Sequence, residues 1–280
     1  MAVYNRGIVY DRRLGQGKTK VIFGTYGDPF TCRIYSKDNV TAGNGARNDK
    51  IPGKGVASNV TAINLFKLLE EAGVPTHFVR WAGARSFIAR RCVMIPIEWV
   101  GRWEVAEGSS ILKRRTELVA GHRFDTTNIE MYWKEDSLDD PLLYKSGDGV
   151  YTASRASMPV GEGKLTEVSS LALGLDVDSE QRMYWLTSWI AASLHTLLEP
   201  HGIVLQDFKV EFGRDLETGE IMLADVITND EWRILRDGRI VSKQWFRNNT
   251  LDTPDKVAHL TGLYKEIADL SGRLAYPLQD

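Results

Sequence analysis

The sequence predicts an α+β fold of two lobes, built on antiparallel sheets with a cleft between them. Three observations predict it. Residues 8–36 alternate like strands with glycine punctuation, three separate stretches carry an apolar face at helical spacing, and the C-terminal part sets a hairpin at residues 207–227 among its helices. The lobes divide near residue 95, into a β-rich segment over 1–95 and a larger α+β segment over 96–280.

In the first lobe, Gly15, Gly17 and Gly24-Thr-Tyr-Gly27 mark the turns between strands. A helix follows, capped by Ser58 and running to about Ala72. Val60, Ile63, Leu65, Phe66, Leu68 and Leu69 make its apolar face, and Gly73 then Pro75 end it. Strand texture returns over 76–103. The segment from Tyr144 to Lys164, rich in Ser, Gly and Ala, reads as a flexible active-site loop. A second helix spans about Ser179 to Leu198 with Met183, Leu186, Ile190, Leu194 and Leu197 inward, and a third spans about Pro254 to Leu270. No internal repeat or low-complexity tract interrupts this order.

Composition narrows the class. The 280 residues are 43% hydrophobic and 26% charged, as in an ordinary globular chain with ample core. A formal net charge of -2, with no lysine-rich tail, argues against nucleic acid as a partner. No apolar run approaches the roughly 20 residues that cross a bilayer, so no membrane role is expected. Only Cys32 and Cys92 occur, without metal-ligand spacing, and the N-terminus has no signal-like apolar core. The reading is a cytoplasmic protein with reduced, structural thiols.

The chemistry concentrates in the hairpin Asp207-Phe-Lys-Val-Glu-Phe-Gly213 and Ile221-Met-Leu-Ala-Asp-Val-Ile227. By the two-residue period Asp207, Lys209 and Glu211 share one face, and Phe208, Val210 and Phe212 the other. A reasonable register sets Asp225 roughly opposite Glu211. Like charges directly opposite are destabilising, so the pair suggests a cation between them, most simply Mg2+ carrying a polyphosphate. A solvated face with a Lys209 ion pair is the competing reading.

Other segments suit phosphate. Gly15-Gln-Gly17-Lys18-Thr19-Lys20 is a glycine-rich turn whose two lysines project from one strand face, although it lacks a Walker A pattern. The polar loop 36–55 offers Lys37, Arg47 and Lys54 ahead of a helix N-terminus, or is simply a mobile surface loop. Ser109 and Ser110 precede the basic cluster Lys113-Arg114-Arg115, an arrangement that fits a phosphomonoester and equally a solvated charge run.

Taken in order, six motifs resemble the SAICAR synthetase family over roughly residues 14 to 250. They are Gly17-Lys-Thr-Lys20; Lys37-Asp38 and Thr41-Ala-Gly-Asn44 with Gly53-Lys-Gly55; Pro96-Ile-Glu-Trp-Val100 with Arg102; Gly108-Ser109 with Lys113-Arg114; Asp207 to Gly213; and Leu223-Ala-Asp-Val-Ile-Thr-Asn-Asp-Glu-Trp-Arg233. The wording looks closest to the synthetase part of the bifunctional animal enzymes.

That resemblance implies an ATP-dependent ligase of purine biosynthesis, joining the carboxylate of carboxyaminoimidazole ribonucleotide to the amine of L-aspartate through an acyl phosphate. ATP and Mg2+ are the implied cofactors, and a homo-oligomer is compatible with the class. The first lobe would be the nucleotide-binding one, and the second would carry the metal and ribonucleotide sites. Lys18, Lys20 and Lys134 would hold ATP, and Glu211 and Asp225 the metal. Lys209, Glu98 and Arg233 would serve catalysis, Lys209 at the developing charge, Glu98 at the imidazole and Arg233 at the ribonucleotide phosphate. Arg102, Ser109, Ser110, Lys113 and Arg114 would bind the ribonucleotide. Asn44, Arg47 and Lys54 would border the substrate and aspartate side.

Departures from the family pattern cluster on the ribonucleotide side. The phosphate loop is one residue longer than usual, so Ser109 and Ser110 compete for one role. Trp103-Glu-Val-Ala-Glu107 adds negative charge nearby, Thr116 to Arg123 departs from the usual loop, and Val226 stands where most bacterial members have Glu. A paralogous ligase for a related heterocyclic carboxylate, a nucleotide-binding protein without ligation, and a small-molecule kinase are the rival readings.

Overall fold

The computed structural model describes residues 3–5, 8–43, 45–159 and 161–276. The strand-like opening forms β1 (Val3–Asn5), β2 (Ile8–Gln16), β3 (Lys20–Thr25) and β4 (Asp28–Ser36). After them come a small hairpin of β5 (Asn39–Ala42) and β6 (Arg47–Lys50), and helix α1 (Lys54–Glu71). With β7 (Phe78–Trp81) and β8 (Ser86–Arg90) the first strands make an antiparallel sheet in the order β1-β2-β3-β4-β8-β7.

The second sheet opens with the long strand β9 (Cys92–Glu104). The chain continues through α2 (Ile111–Arg114), β10 (Arg123–Trp133), β11 (Leu142–Gly147), β12 (Val150–Ser154) and β13 (Lys164–Ser169) to α3 (Val177–Leu198). It ends with β14 (Ile203–Asp215), β15 (Ile221–Leu223), β16 (Trp232–Arg236), β17 (Arg239–Ile240), α4 (Gln244–Asn248) and α5 (Pro254–Ala275). The spatial order is β13-β12-β11-β10-β9-β14-β16-β17, with β15 on β14. Sheets and helices mix as the α+β reading expects.

The pleat explains the packing. Ile95, Ile97 and Trp99 of β9 are buried with Phe208, Val210 and Phe212 of β14, and Met183, Leu186, Ile190 and Leu194 of α3 belong to the same core. Gly101 is required here, because a Cβ at that position would sit 2.5 Å from the Phe208 ring. One hydrophobic cluster runs on through Phe66 of α1 and Phe87 of β8 to Tyr264 of α5, so both sheets share a core. Cys32 and Cys92 are free thiols, pushed up by burial to about 11 and about 12.

Three local expectations are corrected. Helix α1 starts at Lys54, because Gly53 takes a left-handed φ of 81° after Pro52 and turns the chain into the helix, so Ser58 is an interior, buried residue. The 144–164 segment holds most of β11 and all of β12, and only the described residues between 155 and 163 are the loop expected there. Tyr151 and Ala153 bury one face of β12, and Gly149 makes the tight turn between the strands. The strand expected over 221–227 stops at Leu223. The helices at 177–198 and 254–275 contain the expected spans, with Asp176 capping the first through Ser179 N at 2.7 Å.

Helix α5 packs on α1, pairs its Glu266 with Arg236 of β16, and meets a buried carboxylate that α1 also holds. Asp230 accepts from Lys54 Nζ at 2.5 Å and from the Tyr264 hydroxyl at 2.7 Å. Burial opposes its charge, but Lys54 and Lys243 outweigh that cost and hold Asp230 well below the usual carboxylate range. A depressed folded-state value means the stabilisation is present above the unfolded carboxylate range and is lost as pH falls through the folded one. Lys54→Met is therefore expected to destabilise the fold by about 3 kcal/mol at pH 7, as for a buried ion pair missing one partner. The penalty should shrink below about pH 4, where the unfolded carboxylate protonates, as urea denaturation at several pH values would show.

Candidate active site

Residues of β9 and β14 that face away from the core line a cavity of about 710 Å3. The strand register pairs Asp207 with Arg102, Lys209 with Val100 and Glu211 with Glu98. Two carboxylates thus oppose each other across the ladder. Lys209 makes this tolerable, with its Nζ donating to Glu98 Oε1 at 2.8 Å and Glu211 Oε1 at 2.7 Å. Lys134, just past β10, donates to the other Glu211 oxygen at 2.5 Å. Desolvation works against the Lys209 charge, but Glu211, Glu98 and Asp225 together raise it well above an ordinary lysine.

Asp225 is not opposite Glu211. The β14–β15 ladder pairs Phe212 with Leu223, after which Ala224 N bonds Glu211 O at 3.0 Å and the chain leaves the sheet. The Asp225 carboxylate accepts from Val226 N at 2.8 Å, a local bond that turns the backbone away from strand pairing. From there Asp225 meets Lys20 of the first sheet at 2.5 Å, and Glu231 stands 3.9 Å from the same ammonium. Burial disfavours both charges, yet their attraction raises Lys20 and lowers Asp225 from their usual ranges. Glu231 moves the opposite way, raised by burial and by Asp230 and Asp225.

The other end of the cavity is arginine-rich. Asp207 Oδ2 accepts from Arg102 Nη1 and Arg233 Nη1, each at 2.6 Å, and so holds two guanidinium groups side by side. Arg102 also donates to Glu130 at 2.8 Å and to Ser109 Oγ at 3.0 Å. Arg233 donates to Gln244 at 3.0 Å. Ser110 lines the cavity directly, whereas Ser109 is buried and reaches it through Arg102. Lys243 and Arg247 complete the wall, and burial lowers both from their ordinary values.

Lys18, Lys20, Glu98, Arg102, Ser110, Lys134, Lys209, Glu211, Asp225 and Arg233 therefore share one cavity. Besides Ser109, four other expected residues do not line it. Lys54 is buried against Asp230 and the Tyr264 ring. Arg47 donates to Phe246 O and Asn249 O at 2.9 and 2.8 Å and stacks on Phe246, fastening the β5–β6 hairpin to α4. Arg114 is turned inward to Glu130 and Tyr132. Lys113 is exposed, one helical position away from the buried Ile111 and Arg114 face. Asn44 lies outside the described residues. The extra negative charge of the 103–107 segment also stays out of the cavity wall, since Glu104 is buried against Gln206 and Arg123.

Sequence reasoning gave no role to Asp207 as the arginine clamp, to Glu130 and Tyr132 beneath it, or to Asp136 and Asp140 on the rim. Alternation within β10, which sets Glu130 and Tyr132 on the face opposite Met131, was a usable signal for the middle pair. Among the described residues no group of three or more His, Cys, Asp or Glu is arranged to hold a metal by itself.

Residues 13–260 match the family model described as SAICAR synthetase. A phosphoribosylaminoimidazole-succinocarboxamide synthase of Roseiflexus castenholzii is 38% identical over 91% of this chain and 94% of its own length. A bifunctional phosphoribosylaminoimidazole carboxylase and succinocarboxamide synthetase of Rattus norvegicus is 34% identical over 92% of this chain, which spans 57% of that protein. Among solved structures, a type-2 SAICAR synthetase in complex with ADP aligns with a TM-score of 0.75 at 29% identity, covering 92% of this chain and 96% of that one. The Ehrlichia chaffeensis phosphoribosylaminoimidazole-succinocarboxamide synthase aligns at 0.77 and 27% identity, covering 93% and 98%.

The Lys209 bridge is open to direct measurement. Because Glu98 and Glu211 hold this ammonium charged, Glu98→Gln is expected to make Lys209 titrate at lower pH than in the parent protein, as read by 15N NMR of the lysine side chain. An unchanged titration would mean that Glu98 does not share this charge.

Proposed function

The chain belongs to the SAICAR synthetase family, and on that premise we propose how its cavity carries out the family reaction. Carboxyaminoimidazole ribonucleotide and L-aspartate are joined, and ATP is converted to ADP and phosphate. One observation supports this reading above the others. A single cavity holds lysines around carboxylates at one end and two arginines held side by side at the other, as an ATP polyphosphate and a ribonucleotide monophosphate each require.

A carboxylate is a poor acyl donor, so the ribonucleotide carboxylate attacks the terminal phosphorus of ATP and ADP departs. The aspartate amine then adds to the carbonyl carbon of the acyl phosphate, loses a proton, and phosphate leaves as the amide forms. Phosphoryl transfer asks the protein for positioning and charge neutralisation rather than covalent chemistry. Lys18, Lys20 and Lys134 take the nucleotide phosphates. Lys209, charged throughout the working pH range, stands beside the transferred group, and Glu98 orients it while facing the imidazole. Arg102 and Arg233 hold the ribonucleotide phosphate with Ser110, and Asp207 with Ser109 aligns them. Arg114, Arg47 and Lys54 act behind the wall, bracing Glu130, the β5–β6 hairpin and Asp230.

Glu211 and Asp225 fit Mg2+ in donor chemistry, since both present carboxylate oxygens in the cavity wall. Two carboxylates suffice where nucleotide phosphates and water supply the remaining ligands, as Mg2+ commonly prefers. The ion would neutralise charge on the phosphates during transfer. The two lobes would divide near residue 95, a reading supported by the passage from one sheet to the other between β8 and β9, and the reaction would belong in the cytoplasm.

Purified protein with Mg-ATP should release ADP only when both the ribonucleotide and L-aspartate are supplied. Asp225→Asn should cut kcat by about 10^3, the scale of losing one preorganised electrostatic group. ADP release without an amine would instead establish a kinase. Arg233→Gln should raise the ribonucleotide KM about 30-fold and leave the ATP KM unchanged, the effect of losing a charged hydrogen bond of roughly 2 kcal/mol.

A further inference from the structure

Glu231 lines the active cavity with its side chain only 9% exposed, and the 228–231 turn fixes it from several sides. Its carbonyl accepts from Lys209 N at 2.7 Å and its amide donates to Thr228 O at 3.0 Å. Its Oε2 accepts from Thr228 N at 3.0 Å and from Thr228 Oγ1 at 2.7 Å. Oε1 takes no hydrogen bond among the described residues. It stands 3.9 Å from Lys20 Nζ, about 1 Å beyond hydrogen-bond reach.

The Lys20 ammonium sits on Asp225 Oδ1, the oxygen that Val226 N also uses, so Oδ2 is the Asp225 oxygen left for a metal. A doubly charged ion there repels the ammonium from the neighbouring oxygen. Among the described residues Asp225 and Glu231 are the carboxylates that pair with Lys20, so the displaced ammonium has one carboxylate to go to. Rotation about the last bonds of a flexible lysine stem covers the remaining distance, and two of the three N–H groups stay available to nucleotide phosphates. Without Glu231 the ammonium would be left partly buried and unpaired, at a cost that metal binding would have to bear. Given the metal at Asp225 and the nucleotide at Lys20 as proposed above, we infer that Glu231 is a positioning residue, which receives the Lys20 ammonium when Mg2+ takes Asp225 and so keeps it beside the phosphates.

The probe is Mn2+ in place of Mg2+, with the free ion counted by EPR in the presence of the full chain and saturating ADP. Glu231→Gln should weaken Mn2+ binding about tenfold, because Thr228 would hold the amide oxygen and turn the NH2 group, itself a donor, toward Lys20. In a Lys20→Met background the same substitution should change the affinity less than about threefold, since no ammonium is left to receive. Equal losses in both backgrounds would make Glu231 a metal ligand or a structural support and overturn the inference, as would no loss in either. Asp225→Asn separates the exchange from the metal assignment. If it too leaves Mn2+ affinity unchanged, the metal assignment falls and the exchange with it, whereas a weakened Asp225→Asn beside an unaffected Glu231→Gln overturns the exchange alone. Should a variant fold poorly, a crystal structure of the parent protein with Mg-ADP decides. Lys20 Nζ bonded to Glu231 Oε1 is expected there, and Lys20 still on Asp225 beside the metal would overturn the inference.

Discussion

Two glutamates facing each other across neighbouring strands are the constraint on which this molecule turns. Glu98 and Glu211 sit at paired positions of β9 and β14, where like charges repel, and a single ammonium from Lys209 reconciles them. The register that imposes this contact also sets Arg102 opposite Asp207 and sends the aromatic residues of both strands into the shared core. A one-residue slip would bury the charges and expose Phe208 and Phe212. Packing on one face of the pair therefore enforces charge placement on the other.

The rest of the cavity repeats that logic. Nearly every ionised group meets its opposite before any substrate arrives: Lys20 with Asp225, Lys134 with Glu211, and two arginines with Asp207. Such pairs contribute little net stability, because desolvation consumes most of their attraction. Their value is orientation. Groups already fixed at the places where phosphate charge accumulates need little rearrangement when it does, and that is where electrostatic catalysis gains most. Substrate phosphates would have to compete with these internal partners, which favours polyvalent anions over simple ones.

Much of this was legible in the residues. Strand alternation correctly set Asp207, Lys209 and Glu211 on one face, because a strand with one buried side must place its charges on the other. Long amphipathic helices were equally plain. What escaped was governed by longer-range or subtler chemistry. Asp225 was set in a strand because Ile221 to Ile227 alternates well, but its carboxylate bonds its neighbour's amide and ends the ladder. Lys54 and Arg47 looked like phosphate ligands as isolated cations, and their true partners, Asp230 and the carbonyls of α4, lie far along the chain. The small residues of 144–164 suggested a loop, yet the buried ring of Tyr151 anchors a strand there. In each case local composition was read correctly and a distant contact decided the outcome.

The bond from Tyr264 to Asp230 bears on how the molecule is made. Asp230 belongs to the cavity wall, but its hydroxyl donor arrives from α5, which follows both sheets along the chain. Lys54 of α1 can meet that carboxylate without α5, but the second of its two hydrogen bonds has to wait for the helix. Until α5 docks, a nascent chain would hold a nearly finished but imperfectly ordered cavity. Order in the cavity wall is thereby tied to the docking of α5.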